Sequence, residues 1–334
     1  MKSSSARRMG VVVIAILTAA LALSASAGAG PKAAHIAFMS MYDGQPDIYA
    51  MDTQGYAQVN LTHDGTIGER VDSEPAWSPD GQWVAFQRTF LKARGECVQL
   101  FLVRSSGKEL HALMPAIGTT LAADEHPSWS PDGSRIVFSS NRTGHFELYM
   151  VAATGTGLTR ITYTKSNVDN LEPAWSPDGK SIAFVHRQWS GGPKVPTIPT
   201  DSIYTLSLAS TAMHQLTSPG LGRSDTQPAW SANSMRIAFQ SNRAGNWDIF
   251  FVGQFGAKVT QVTKSLYAEV HPTWSPFGDQ IAFISDKTGA TELFTLVLPK
   301  AGSITPPQQP RQLTFDKAPK ANPSWERVFM SASN

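Results

Sequence analysis

The sequence predicts an all-β protein: a six-bladed β-propeller with four antiparallel strands per blade, closed by a C-terminal strand in the first blade. Three observations predict it. A Pro-x-Trp tripeptide occurs six times, with 44 to 55 residues between successive tryptophans, and a period of roughly 40–50 residues is typical of propeller blades and of helical arrays. A short apolar strand follows each of the first five tryptophans, and a second aromatic strand comes after it. Short strands joined by turns favour hairpins over paired helices.

We expect the Pro-x-Trp segment to be the innermost strand of each blade. Its six copies end at Trp77, Trp129, Trp175, Trp230, Trp274 and Trp325. Three of them continue as Trp-Ser-Pro-Asp-Gly. In such a turn Pro fixes its own φ, Asp bonds to nearby backbone and Gly adopts a positive φ. The chain therefore reverses there into the second strand.

The other three strands of the unit follow in a fixed order. The second is an apolar triplet such as Ile136-Val137-Phe138. The third often begins with an acidic residue before an aromatic position, as in Glu147-Leu148-Tyr149. The unit closes with a pair such as Ile161-Thr162, of which Leu113-Met114 is a degenerate copy. Four short strands of this kind make one propeller blade.

The order of parts at the two ends of the chain predicts how the ring closes. Ile36-Ala37-Phe38 is a second strand with no Pro-x-Trp segment before it, and Pro323-Ser324-Trp325 has no blade after it. We expect the last segment to complete the first blade, which removes exposed sheet edges. Residues 28–334 would form one propeller, with blades at about residues 36–62 plus 321–327, 74–115, 126–163, 172–218, 227–264 and 271–315.

The complete unit resembles a known repeat. Pro-x-Trp-Ser-Pro-Asp-Gly, Ile-Ala-Phe, Ser-Asn-Arg-x-Gly, Asp-Ile-Tyr and Gln-Leu-Thr together look like the TolB-like, WD-related propeller repeat, over nearly everything from Ile36 to Trp325. The resemblance implies a rigid scaffold used mostly for protein binding in the bacterial envelope or outside the cell. TolB itself carries an α/β domain ahead of its propeller, and only a few residues separate the leader of this chain from its first strand. We therefore expect a TolB-like propeller without that domain.

The N-terminal segment predicts export. Lys2, Arg7 and Arg8 precede an apolar run over residues 9–23, and Ala25-Ser26-Ala27 offers a small-residue cleavage site. These are the parts of a secretory signal peptide, so residues 1–27 would be removed and the protein would be periplasmic or secreted. An uncleaved anchor is the alternative. No second stretch is long and apolar enough to suggest a membrane span after cleavage.

Composition and missing motifs exclude several classes of function. The chain has 28 basic and 26 acidic residues, and loss of the three basic leader residues leaves 25 and 26. Such a surface does not attract nucleic acid. The sequence contains no Gly-x-Ser-x-Gly, no His-Glu-x-x-His and no phosphate loop. It therefore lacks the common motifs of serine hydrolases, zinc proteases and nucleotide-binding proteins. We expect a monomer that binds a protein or peptide partner.

A polar ring is the best candidate site. The residue before each Pro-x-Trp segment is polar in all six copies: Glu74, His126, Glu172, Gln227, His271 and Asn322. Innermost strands surround the propeller axis, so these positions should form a ring near one mouth of the central channel. Glu125, Asp225 and Glu269, one or two residues upstream, would make that mouth more acidic.

The ring has three interpretations. Its residues could simply solvate a wet channel, they could hold a divalent cation, or a Glu and a His could act as acid and base. We expect no cofactor, and a divalent cation in the channel is the alternative. His126 and His271 are three blades apart, which counts against close co-ligation of one ion.

Two further features concern the loops. The longest irregular stretch runs over residues 187–201, and its Trp189 is a candidate anchor for a partner. The Arg of each Asn-Arg-x-Gly turn should pair with the acid that opens the next strand, as Arg142 with Glu147 or Arg243 with Asp248.

These features support two functional hypotheses and a third, less specific one. The first is a secreted or periplasmic propeller that binds a protein or peptide through its channel mouth and loops. The second is a propeller lyase or hydrolase that acts on a saccharide or ester at the ring. The third is a chiefly structural component of the cell envelope.

Overall fold

The computed structural model describes residues 35–63, 68–92, 95–115, 122–190, 198–299 and 309–326. Within these ranges it shows six four-stranded antiparallel sheets and no helix, so none of the described residues form a helix that could cross a membrane. The prediction of an all-β, six-bladed propeller is confirmed. The predicted signal peptide, residues 1–27, lies outside the described residues.

Each sheet is one blade, and its strands follow one another from the innermost to the outermost. Blade 1 is β24 (Lys320–Trp325), β1 (His35–Ser40), β2 (Asp47–Asp52) and β3 (Val59–Asn60); blade 2 is β4 (Arg70–Trp77), β5 (Trp83–Lys92), β6 (Gly95–Arg104) and β7 (His111–Ala112). Blade 3 is β8 (Asp124–Trp129), β9 (Arg135–Ser140), β10 (Glu147–Ala152) and β11 (Thr159–Arg160); blade 4 is β12 (Val168–Trp175), β13 (Ser181–Ser190), β14 (Ile198–Ser207) and β15 (Met213–Gln215). Blade 5 is β16 (Asp225–Trp230), β17 (Arg236–Ser241), β18 (Asp248–Gly253) and β19 (Gly256–Gln261); blade 6 is β20 (Glu269–Trp274), β21 (Gln280–Ser285), β22 (Glu292–Val297) and β23 (Arg311–Gln312).

The Trp-Ser-Pro-Asp-Gly sequence closes the turn between the first two strands through its side chains. In blade 2 the Ser78 hydroxyl donates to Asp80 Oδ1 at 2.6 Å and accepts the Trp83 N–H at 2.9 Å. Gly81 takes a φ of 64°, which costs glycine little. Blade 3 repeats these two bonds with Ser130, Asp132 and Arg135.

Apolar side chains of neighbouring blades form the core. Val84 and Phe86 of blade 2, for example, pack with Ile48 and Leu61 of blade 1, and all four are buried. Among the described residues, the six largest fully buried side chains are the phenylalanines of the second strands: Phe38, Phe86, Phe138, Phe184, Phe239 and Phe283. Burial of each phenylalanine contributes about 1.5–3 kcal/mol, so the core is divided among the blade interfaces.

The repeated tryptophans link each blade to the one before it. Where the preceding Pro-x-Trp segment has Ala at x, the indole N–H donates to that residue's carbonyl, as from Trp129 to Ala76 at 3.1 Å. Trp230 and Trp274 do the same. Where x is Ser128, its hydroxyl instead accepts the backbone N–H of Trp175 at 3.0 Å. Thr273 acts like Ser128, since its hydroxyl accepts the backbone N–H of Trp325 at 3.3 Å.

The predicted partner of the turn arginines is wrong. Arg142 Nη2 donates to Asp124 Oδ1 at 2.7 Å rather than to Glu147, and Arg243 pairs with Asp225 rather than with Asp248. The guanidinium reaches across the second strand to the first residue of the innermost strand. Glu147 is already bound by Arg160 and by the hydroxyl of Thr162.

The C-terminal strand closes the ring. β24 pairs antiparallel with β1, with Trp325 opposite Ile36. Neighbouring innermost strands contact one another in a closed cycle, β24 to β4, β8, β12, β16, β20 and back to β24. Glu326 reinforces the closure, since its carboxylate lies 2.8 Å from His35 Nδ1.

Removal of this strand should destabilise the whole propeller. A chain that ends at Ala321 loses Trp325, and loss of a buried Trp side chain alone costs about 3–5 kcal/mol. It also exposes the edge of β1. We expect a lower and broader thermal transition, and the same direction of change for Trp325→Ala. A chain that ends at Glu326 keeps β24 and is the matched control. If the chain that ends at Ala321 unfolded at the same temperature as the full-length protein, β24 would not close the ring.

Candidate functional site

The six predicted ring residues share one unusual backbone conformation. Glu74, His126, Glu172, Gln227, His271 and Asn322 all have φ between 52° and 55°. Each lies at a bulge where the pairing of the innermost strand with the second strand shifts, as between Ser73 and Ala76 in blade 2. A left-handed conformation costs a non-glycine residue about 1–2 kcal/mol. All six blades therefore maintain an unfavourable conformation at the position that carries the polar side chain.

The ring residues line one axial cavity. The cavity has a volume of about 180 Å³ and is lined by all six of them, together with the Pro-x-Trp residues that follow each one. At about 30 Å³ per molecule in the liquid, this space corresponds to roughly six waters. The structure thus brings together the whole predicted ring inside the channel.

Hydrogen bonds join several ring residues around the axis. Asn322 Nδ2 donates to Glu74 Oε1 at 2.5 Å, and His126 Nε2 lies 3.6 Å from the same oxygen. On the other side of the ring the backbone N–H of Gln227 donates to Glu172 Oε2 at 2.6 Å. Both carboxylates are therefore tied to a neighbouring blade.

The second strands position the ring from outside. The backbone N–H of His126 donates to Gln87 Oε1 of blade 2 at 3.1 Å, and that of His271 donates to Gln240 Oε1 of blade 5 at 2.8 Å. Ser139 supplies the equivalent oxygen to Glu172 at 3.0 Å. Each of these three acceptors follows the Phe of the apolar triplet. These three acceptors were not predicted, although a polar residue directly after the Phe of an apolar strand is a usable signal.

Burial shifts the pKa values of the ring carboxyls upward. It raises the pKa of Glu74 to about 8, and the negative charges of Glu172 and Glu125 add to the rise. It also raises the pKa of Glu172 to about 7, against the opposing bond from the Gln227 N–H. Both changes mean that the folded protein holds protons on these groups more tightly than the unfolded chain does.

Burial shifts the pKa values of the ring histidines downward. It lowers the pKa of His126 to about 4, with a contribution from His271, and lowers that of His271 to about 4. Both imidazoles are neutral at pH 7. Their Nδ1 atoms are buried, and the described residues provide no hydrogen-bond partner for them. The ring therefore offers neutral imidazoles and incompletely ionised carboxyls in one small cavity.

Of the three acids predicted to surround this mouth, only Glu125 influences the ring carboxyls directly, through its charge on Glu74 and Glu172. Asp225 is buried against Arg243, and Glu269 accepts from the hydroxyl of Ser265 at 2.5 Å. Arg187 adds an opposite charge near the mouth, since its guanidinium favours the ionised form of Glu172.

The ring does not bring three potential metal ligands into one coordination sphere. Across the described ranges, the one group of three such atoms within 4.8 Å of one another is Asp43, Asp47 and His63 on blade 1. There Asn60 Nδ2 already donates to both carboxylates, at 2.9 and 2.8 Å. Arg70 neutralises Asp47 at 2.9 Å. The protein's own donors occupy that cluster.

Trp189 does not lie in an irregular loop. Residues 187–190 and 198–201 belong to β13 and β14, which extend the blade 4 hairpin, and Trp189 is paired with Pro199. Its side chain is half-buried, and its indole N–H donates to Asp169 Oδ2 at 2.6 Å. The two strands keep one unbroken register from Ser181 opposite Ser207 to Ser190 opposite Ile198. A part of the Trp189 ring remains accessible, so its role as a contact stays a prediction.

Comparison with known proteins supports the same fold. The family described as TolB beta propeller domain matches residues 89–195. The Tol-Pal system protein TolB of Desulfosudis oleivorans is 30% identical over 127 residues, which cover 38% of this chain and 26% of that protein. An uncharacterized protein of Agrobacterium fabrum is 31% identical over 217 residues, 63% of this chain and 64% of the relative.

Solved structures agree. The crystal structure of TolB from Acinetobacter baumannii superposes with a TM-score of 0.66 at 20% identity and covers 89% of this chain and 67% of that one. The structure of an oligogalacturonate lyase in complex with manganese superposes with a TM-score of 0.53 at 16% identity. The match covers 78% of this chain and 73% of that one. At these identities the likeness concerns the fold alone.

The match spans only part of the curated relatives. It covers 26% of the Desulfosudis TolB and 35% of a TolB homolog from Chlorobium luteolum. The family match, the strand order and the six repeated blades nevertheless agree with one another. The described residues between His35 and Glu326 form a TolB-like six-bladed β-propeller.

Proposed function

We propose that this propeller is a periplasmic or secreted binding module that recognises a protein or peptide through the ring in its channel. The observation that carries the proposal is the left-handed backbone at six non-glycine positions. Glycine would relieve the conformational cost, yet every position holds a polar side chain that lines the same cavity. Strain of this kind is typical of sites where the side chain has a role beyond stability.

The electrostatics of the ring indicate what kind of group it accepts. Burial raises the pKa values of both Glu74 and Glu172; the charge of Glu172 adds to the rise at Glu74, whereas the charge of Arg187 opposes the rise at Glu172. A cationic group of a partner, such as a Lys side chain or a terminal amine, would stabilise both carboxylates at once. The neutral imidazoles of His126 and His271 add no competing positive charge. The ring is thus suited to a basic group presented by the partner.

The proposal of an extracytoplasmic location rests on the composition of residues 1–27. The basic start, the apolar run and the Ala25-Ser26-Ala27 sequence support it, and N-terminal sequencing of exported protein, expected to begin near Gly28, checks it. The TolB relatives support a protein partner in the cell envelope.

A lyase or hydrolase is the second candidate. The observation that favours it is the contact between His126 Nε2 and Glu74 Oε1 at 3.6 Å, with the Glu74 pKa raised to about 8. A protonated carboxyl and a neutral imidazole can serve as acid and base. The cavity of about 180 Å³ argues against it, since typical ligand sites have about 300–1,000 Å³.

Reversal of charge in the ring should abolish partner binding. In affinity capture from an envelope extract, Glu74→Lys and Glu172→Lys should each lower recovery of the wild-type partner at least tenfold, because a reversed charge faces the partner's basic group in a desolvated contact. Glu109→Lys is the control, since the exposed side chain of Glu109 pairs with Arg104 and does not line the ring cavity.

The binding proposal would be contradicted by unchanged recovery in both ring variants, by equal loss in the Glu109 control, or by turnover of a saccharide or ester that disappears in His126→Ala. Metal analysis accompanies the capture. Stoichiometric divalent metal lost on Glu172→Ala would make the ring an ion site instead.

The raised carboxyl pKa values predict a stability profile. A carboxyl whose pKa is higher in the folded protein than in the unfolded chain lowers the stability of the folded protein as pH rises from the unfolded-state value to the folded-state value. As pH rises from 6.5 to 8.5, ionisation of Glu74 should lower the free energy of unfolding of the wild-type protein by about 2 kcal/mol. The histidines act below this window, where stability is lost as pH falls from 6.5 toward 4.

Urea unfolding at several pH values measures this profile. Glu74→Gln should flatten the decline between pH 6.5 and 8.5, whereas the exposed Glu109→Gln should leave it unchanged. A Glu74→Gln profile parallel to that of the wild type would show that Glu74 ionises normally in the folded protein.

A further inference from the structure

A second cavity lies away from the channel, between blades 3 and 4. It is lined by residues of β9, β10 and β11 from blade 3 and of β14 from blade 4, and it has a volume of about 570 Å³. We call it the blade 3/4 groove. No residue of the channel ring lines it. Its volume falls within the roughly 300–1,000 Å³ that is typical of small-molecule sites, whereas the ring cavity is smaller.

The floor of this groove is apolar. Met150 and Leu206 line it and belong to the buried core cluster between the two blades. Ile161 and Leu208 also line it and pack against that cluster, but they are only half-buried. Tyr163 stands at one end and is 75% exposed. An apolar molecule in the groove would therefore remove apolar side chains from water, which is favourable.

One guanidinium in the groove has no carboxylate partner. Arg135 is exposed, and its Nη1 lies 3.5 Å from Met150 Sδ, which places the guanidinium over the apolar floor. Among the described residues no acid forms an ion pair with Arg135, and none lines the groove. A second arginine of the groove, Arg160, is already paired with Glu147 at 2.7 Å. The groove therefore presents one available positive charge beside an apolar surface.

The equivalent groove between blades 5 and 6 differs in charge. Arg236 holds the place of Arg135 there, since each residue opens the second strand of its blade. That groove also contains the carboxylate of Asp279. At the corresponding place in blade 4 the sequence has Lys180, whose N–H donates to Asp178 Oδ1 at 3.1 Å, and neither of these two residues lines the blade 3/4 groove. An anion would thus meet a carboxylate in the blade 5/6 groove but not in the blade 3/4 groove.

We propose that the blade 3/4 groove is a binding site, separate from the channel ring, for a small organic acid with an apolar body. The acid group accepts charge-assisted hydrogen bonds from Arg135, and the body lies on the apolar floor. Arg135 is opposite Ala152 on β10, and Arg160, at the other end of the groove, is opposite Tyr149. These positions are about 10 Å apart along the strand, at roughly 3.3 Å per residue. That length suits an apolar body of two fused aromatic rings.

The charge of the groove selects against other small molecules of the same shape. A neutral molecule would cover the Arg135 guanidinium without offering it an anionic acceptor, and removal of a charge from water without a partner is unfavourable. An amine would meet a like charge at short distance. The groove therefore prefers an anion, whereas the channel ring is suited to a basic group.

A fluorescence titration of the intact protein with anilinonaphthalene sulfonate, an apolar monoanion, tests this site. Naphthoate and its neutral amide, naphthamide, serve as competitors of the same shape. We expect naphthoate to displace the probe about tenfold more effectively than naphthamide, because only the acid forms a charge-assisted bond with Arg135. In Arg135→Gln the probe should bind about tenfold more weakly, and the difference between the two competitors should disappear.

Arg236→Gln is the matched control and should leave the affinity of the probe unchanged, because Arg236 shares its groove with Asp279. Leu208→Asp places a negative charge on the floor and should abolish binding. If that variant fails to fold, the comparison of acid and amide on the wild-type protein still decides the question. Equal displacement by the two competitors, unchanged affinity in Arg135→Gln, or an equal loss in Arg236→Gln would overturn the proposal. No ring residue is altered, so the outcome is independent of the function proposed for the ring.

Discussion

The bulge before each Pro-x-Trp segment is the constraint on which this propeller depends. Proline has no N–H to give to a sheet, so it is tolerated in a strand at a bulge. The residue before it takes the left-handed conformation, and pairing resumes at the residue before Trp, as at Ala76. One local irregularity thus directs a polar side chain to the channel and places a Trp in each blade interface.

Repetition of that unit explains both the symmetry and its exceptions. The turn and the buried Phe recur from blade to blade, and the indole bond recurs in blades 3, 5 and 6, because each depends on residues within one unit or its neighbour. Blades 2 and 4 depart from the pattern on one side of the ring, where β5, β6, β13 and β14 have ten residues each. Blade 5 departs at its outer edge, through β19. Different departures from one repeat supply different surfaces on a rigid scaffold.

Much of the fold could be predicted because the signals are local. Pro-x-Trp and the turn residues predict strand order, and the unmatched ends predict closure by β24. The ring residues could be named because one position in each repeat is polar. Their left-handed φ could not be predicted, since none of them is glycine. Sequence likewise could not show that Arg142 reaches Asp124, because that choice depends on how far a side chain extends across a blade.

The claim that the ring keeps its side chains at a conformational cost has a direct test. Free energies of unfolding in urea should be compared for His271→Gly and His271→Ala, which both remove the imidazole and differ in their tolerance of positive φ. We predict that the Gly variant is more stable by about 1 kcal/mol. At the neighbouring Val270, which lacks a positive φ, the order should reverse. A Gly variant at His271 no more stable than the Ala variant would contradict the account.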